Sequence, residues 1–175
     1  MRTSTFALFI GMAYVSAGFL GLVPAALMPP PEDAPPVRFG VLYGWLLGLF
    51  PVNVLHSAVH LAVGAWGIVA WRTDHSGRGM GSPKMYARAL AIFLGALGIL
   101  GLVPALYTLS GLMPIHGHDA WLHAATAALA GYFGWRTEVS IERRNEADDR
   151  RQDARRVERE RRLGHSDRRV PGSEV

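Results

Sequence analysis

The chain has 175 residues, half of them hydrophobic and 18% charged, with no cysteine and a formal charge of +4. The lack of thiols excludes a disulfide framework, a thiolate metal site and a cysteine nucleophile. The basic balance does not point to nucleic acid, because most charge lies after Trp135 and the earlier basic residues flank apolar stretches, where they set membrane orientation.

A stretch of about 18 or more apolar residues is long enough to cross a hydrocarbon core of roughly 30 Å. The first such run, residues 6–28, ends at Pro29-Pro30-Pro31, which cannot continue a helix. It is longer than the apolar core of a signal peptide, and a near-copy of its end recurs deep in the chain, so it reads as a retained span. From Gly40 to Trp71 the chain stays apolar for longer than one straight helix needs. Pro51 divides this run, since proline suits the first turn of a helix and breaks its interior. Val41 to Phe50 is therefore expected to be a short interfacial or re-entrant piece, with the second span over residues 52–71. The third span is expected over residues 86–109 and the fourth over residues 119–135.

Residues 1–136 then form a four-span membrane domain, and residues 137–175 a charged tail that is first helical and then disordered. Eleven arginines face ten acidic residues in that tail, a near balance that suits a solvated extension better than a strong lipid anchor. Glu146 with Arg150, and Glu158 with Arg162, are in the helix-favouring i,i+4 order. Arg72, Arg78, Lys84 and Arg88 lie between spans two and three and Arg136 follows span four, whereas the opposite side carries Arg38 offset by Glu32 and Asp33. The positive-inside rule places both termini in the cytoplasm of a plasma-membrane protein, with Trp71 and Trp135 as anchors at the inner boundary.

Two segments are nearly identical. Gly18-Phe19-Leu20-Gly21-Leu22-Val23-Pro24-Ala25 returns as Gly98-Ile99-Leu100-Gly101-Leu102-Val103-Pro104-Ala105, and Trp71-Arg72-Thr73 as Trp135-Arg136-Thr137. The expected fold is all-α: an integral membrane four-helix bundle of two parallel helix-hairpin repeats. Glycines such as Gly18, Gly64, Gly98 and Gly131 let membrane helices approach closely, and the same Gly-rich faces suit a homo-oligomer. The lipid bilayer is the expected partner, and no nucleic acid.

The polar residues inside the spans draw the chemistry. Asn53, His56 and His60 fall at i, i+3 and i+7 on one face of span two, and Asp119 and His123 stand one turn apart at the start of span four. Counted back from the two Trp-Arg boundaries, His60 and His123 reach similar depths, in the outer half of the bundle. Ionisable residues within a span usually face the bundle interior. Four readings of this cluster stand side by side. The leading one is a structural polar network, with Asp119 as an N-cap, or a small-ligand site; the alternatives are a divalent metal site of His56, His60, Asp119 and His123, a haem held by His60 and His123, or a proton or ion path. His116 and His118 lie in an outer loop and rank behind the intramembrane residues, while His75 and His165 carry no signal. No nucleophile with a base, phosphate loop or cofactor fingerprint is present, so no enzyme is expected.

The run Leu-Gly-Leu-Phe-Pro-Val-Asn-Val-Leu-His-Ser-Ala-Val-His-Leu through span two, followed by Asp119-Ala120-Trp121-Leu122-His123, resembles the bacterial membrane family named domain of unknown function 4383. The resemblance covers approximately Phe6 to Trp135. It implies a multi-pass protein with no assigned activity, and this chain departs from the usual pattern at Ala120, where Asn is more familiar.

Overall fold

In a computed structural model the described residues are 1–73, 81–136 and 147–160. Expectations that rest on His75, Arg78, Glu146, Arg162 and His165 lie outside them. The chain separates into two compact units, Met1–Thr137 and Glu138–Val175.

The first unit is mostly helical. Its helices are α1 (Thr3–Leu20), α2 (Val54–Arg72), α3 (Pro83–Leu100) and α4 (His118–Gly131), the last running on into a π-helical turn, Tyr132–Arg136. The first three are long and apolar enough to cross a membrane. α1 packs along α2 and α3 along α4. Outward-facing side chains such as Phe9, Phe19, Ile92, Ile99 and Leu129 are apolar and exposed, the surface a lipid-facing helix presents.

α1 and α3 stop well short of the spans read over residues 6–28 and 86–109. Each ends at a glycine in right-handed helical conformation, Gly21 and Gly101. The next turn carries an extended valine: Val23 at φ −98°, ψ 109° and Val103 at φ −97°, ψ 114°. The physical reason is Pro24 and Pro104, which disfavour helical conformation in the residue before them. Apolar composition continues past both prolines, which is why hydropathy overruns the helix ends. The duplicated octapeptide is thus a helix terminator, used twice with nearly the same backbone angles.

Val41–Phe50 is not helical. The connection between α1 and α2 holds a three-stranded antiparallel sheet, β1 (Leu27–Met28), β2 (Gly44–Leu46) and β3 (Phe50–Val52), in that spatial order. Trp45 lies opposite Pro51. Pro51 therefore sits in an edge strand, where a missing N–H is tolerated, and α2 begins three residues later than Pro51. The turn between β2 and β3 has two left-handed residues, Leu47 (φ 55°) and Gly48 (φ 71°).

The core holds Phe6, Tyr14, Tyr86, Leu90, Leu94 and Leu97, all buried. Phe6 stacks on Phe133 with ring centroids 4.7 Å apart, and Trp66 meets Tyr86 edge-on at 5.2 Å. Gly18 and Gly64 sit at the contact between α1 and α2. A methyl added to Gly64 would lie 2.5 Å from the Val15 nitrogen, and one on Gly18 2.7 Å from the Ser57 carbonyl oxygen, so α1 and α2 meet backbone to backbone.

In the second unit residues 147–160 are helical and exposed. Arg156 pairs with Glu160 at 3.3 Å, one helical turn away.

Candidate metal centre

Asn53 begins the site from the α2 side. It is not part of the converging face, because it precedes the helix as its N-cap: its side-chain oxygen accepts from the His56 amide at 2.9 Å. Its side-chain amide donates to the Phe39 carbonyl at 3.0 Å and to the Leu112 carbonyl at 2.8 Å. All its polar atoms are thus engaged, and one buried side chain ties both long connections to the start of α2. A capping oxygen is worth about 1 kcal/mol. The remaining i,i+4 spacing brings His56 and His60 onto one face, with ring centroids 4.4 Å apart.

α4 supplies the other half. His123 stands with its ring centroid 5.9 Å from that of His56 and 6.3 Å from that of His60. Each of the three imidazoles offers a ligating nitrogen within 4.8 Å of the other two, and all three rings are buried. Asp119 is not the N-cap of α4. That position is Gly117, at φ 66°, with no side-chain cap, and Asp119 lies one residue inside the helix with its side chain turned to the histidines. Its Oδ2 is 3.5 Å from His123 Nδ1 and 3.9 Å from His56 Nε2. Neither contact is a hydrogen bond.

The polar atoms here are unusually unsatisfied. His56 Nδ1, both nitrogens of His60, His123 Nδ1 and Asp119 Oδ2 are buried without a hydrogen-bond partner in the protein. Buried polar groups are nearly always paired, and an unpaired one costs about 1–3 kcal/mol. The Pro51 and Pro114 carbonyls interact with the His56 ring, so the atoms of His60, His123 and Asp119 are the ones left facing one another without a protein partner.

His116 and His118 do not join the three-histidine set. His116 is half-buried between Tyr107 (5.2 Å) and Trp45 (5.9 Å), and burial holds its pKa below the usual histidine value. His118 is exposed at the first residue of α4. The wall that sequence reasoning missed is Tyr14, whose ring meets His60 edge-on at 4.9 Å. Its hydroxyl faces Thr126, whose own hydroxyl donates to the Leu122 carbonyl at 2.8 Å. A lone tyrosine inside the apolar α1 was the signal available for it. The backbone carbonyls of Pro51 and Pro114 lie beside the His56 ring, and nothing in composition marks them.

Residues 4–136 match the family described as domain of unknown function, DUF4383. The chain belongs to this family. The match takes in α1 from its second residue, all of α2–α4, the sheet and every residue of the three-histidine centre. No curated protein and no solved structure matches the chain. In this DUF4383 chain Ala120 is buried and packs beneath Gly101: a methyl on that glycine would come 2.9 Å from the Ala120 Cβ.

Proposed function

We propose that this chain is a metal-binding plasma-membrane protein of four spans that holds a divalent transition-metal ion between α2 and α4, with His56, His60 and His123 as nitrogen ligands and Asp119 as the oxygen donor. The observation that carries the reading is the convergence of three buried imidazoles to within 4.8 Å. Ions of the zinc class take imidazole nitrogen at about 2.0–2.1 Å and carboxylate oxygen at about 2.0–2.2 Å, usually with four ligands. Nitrogens up to 4.8 Å apart would have to close to roughly 3.4 Å to share such an ion in a tetrahedral shell, and the ion would then engage one atom from each of His56, His60, His123 and Asp119. The donor set of three nitrogens and one carboxylate oxygen suits zinc and its neighbours better than the softer copper(I). Haem fits less well. A macrocycle between His60 and His123 would need the space where the His56 ring already stands, 4.4 Å from one and 5.9 Å from the other.

α4 and its π-helical turn together run from His118 to Arg136, a length that reaches across a bilayer at small tilt and supports the fourth span. Arg72 closes α2 at the end away from β3, Lys84 and Arg88 lie in the first two turns of α3, and Arg88 stands 5.7 Å from the Trp135 ring. That clustering supports a cytoplasmic location for this end and for both termini, with the metal centre in the outer half.

The test is purification in mild detergent without a histidine tag, followed by elemental mass spectrometry of the wild type beside a His60→Ala/His123→Ala variant. One zinc-class ion per chain, absent from the variant, is the expected result. A wild type that stays metal-free after incubation with zinc or cobalt would leave the cluster as structural polar packing.

A further inference from the structure

Both long connections close over the metal centre as a roof. Pro51, Pro114 and Ile115 in it are fully buried. The Arg38 and Phe39 amides reach the Gly111 carbonyl, at 2.7 and 3.4 Å, and Asn53 ties Phe39 and Leu112 to the start of α2. His116 stands in this roof, two residues beyond Pro114, whose carbonyl lies beside the His56 ring. One aromatic ring from each connection flanks it, Trp45 from β2 and Tyr107 from the stretch after α3. The ring is half-buried, and its Nε2 is enclosed without a hydrogen-bond partner. An imidazole held between two aromatic rings, half in solution and half inside the roof of a three-histidine centre, is placed to accept a cation from one side and release it to the other.

We propose that metal ions exchange with the centre through this roof, and that His116 is the first ligand they meet on the way to His56. The proposal rests on the metal-centre reading above. A hydrated divalent ion cannot enter an apolar bundle intact; its waters must be replaced by ligands stepwise, and a first ligand makes the later steps intramolecular at a high effective concentration. Burial keeps His116 neutral near neutral pH, with a lone pair free for metal. His118 is the less suitable port because it is exposed at the first residue of α4, without the enclosure that Trp45 and Tyr107 give His116.

Loading of the full-length, untagged, chelator-stripped protein with cobalt(II) provides the test, followed by the ligand-field absorption of the bound ion after rapid mixing. Wild type is compared with His116→Gln, which keeps most of the side-chain volume, with His116→Ala, and with His118→Ala. Both His116 variants should reach the wild-type stoichiometry and final spectrum while loading on the order of tenfold more slowly. His118→Ala should load at the wild-type rate. Unchanged loading in His116→Gln overturns the proposal, as does an equal slowing in His118→Ala. A changed final spectrum in the His116 variants also overturns it, since His116 would then be a resident ligand. A wild type that binds no cobalt is a different failure, that of the metal centre itself.

Discussion

The two helix pairs make their contacts differently. Between α1 and α2 the backbones touch: the space for a methyl at Gly64 ends 2.5 Å from the Val15 nitrogen, and at Gly11 it ends 2.9 Å from the Gly64 carbonyl oxygen. Between α3 and α4 the nearest atom to a methyl on Gly95 is the Ala127 Cβ at 3.7 Å, and on Gly131 the Ala91 Cβ at 3.9 Å, both ordinary contact. The helix with two of the histidines is thus set against its partner at a fixed backbone separation. The helix with the third histidine and Asp119 comes close to the α3 backbone only at Gly98, where a methyl would lie 3.1 Å from the Ala124 nitrogen and 3.2 Å from the Ala120 carbonyl oxygen, and is spaced by side chains at Gly95 and Gly131. Small residues in similar sequence contexts do not have equal structural weight, and the pair carrying His56 and His60 is the less forgiving one.

The most severe way to break that contrast is Gly64→Ala. Its methyl would strike the α1 backbone, which has no rotamer to yield, and the cost should be about 3 kcal/mol. Gly95→Ala meets nothing closer than 3.7 Å and should stabilise by up to about 1 kcal/mol through helix propensity. Reversible unfolding in mixed detergent micelles measures both. Equal losses at the two positions would show that the seams do not differ.

Next in size is the tether that only the first pair carries. Asn53→Ser keeps an oxygen that can cap α2 but removes the two donors to Phe39 and Leu112, for a loss of about 2 kcal/mol. Asn53→Ala removes the cap as well and should cost about 1 kcal/mol more. If serine restored full stability, the two connections would be held by their own backbone contacts instead. On the α4 side, Asp119→Asn leaves the three histidines in place and should weaken zinc or cobalt binding by about tenfold or more, read by competition with a chelator. Unchanged affinity would remove Asp119 from the donor set.

The sequence carried the histidine geometry because helical periodicity is a local rule: a separation of four residues from His56 to His60 suffices to put them on one face, and the Trp-Arg boundaries set the relative depth of His123. The family resemblance likewise pointed to the residues that the structure brings together. The helix ends were harder to read. Leu22, Val23, Leu102 and Val103 are as apolar as any span residue, so hydropathy passed over the stops imposed by Pro24 and Pro104. Pro51 was legible as a breaker but not as a strand residue, because the sheet that accommodates it depends on Gly44–Leu46 pairing across a left-handed turn. Asn53 was misplaced for a related reason. An asparagine on a histidine face and one that caps the helix share the same spacing, and only the tertiary partners Phe39 and Leu112 distinguish them.

The smallest effects concern how α3 and α4 begin. Ser82 caps α3 by accepting from the Met85 amide at 3.2 Å, and Ser82→Ala should cost about 1 kcal/mol. α4 starts at Gly117 with φ 66° and no side-chain cap, and a methyl there would meet nothing within 4 Å. Gly117→Ala therefore isolates backbone strain, about 1 kcal/mol, from any packing change. That strain falls on the turn that aims Asp119 at the histidines, whereas the Ser82 loss falls at the far end of the bundle. Measured side by side, the two variants should lose similar stability, but only Gly117→Ala should also weaken cobalt binding. Equal affinities in the two would mean that the α4 ligands are positioned by the packing of Ala120 and His123 alone, independent of how the helix begins.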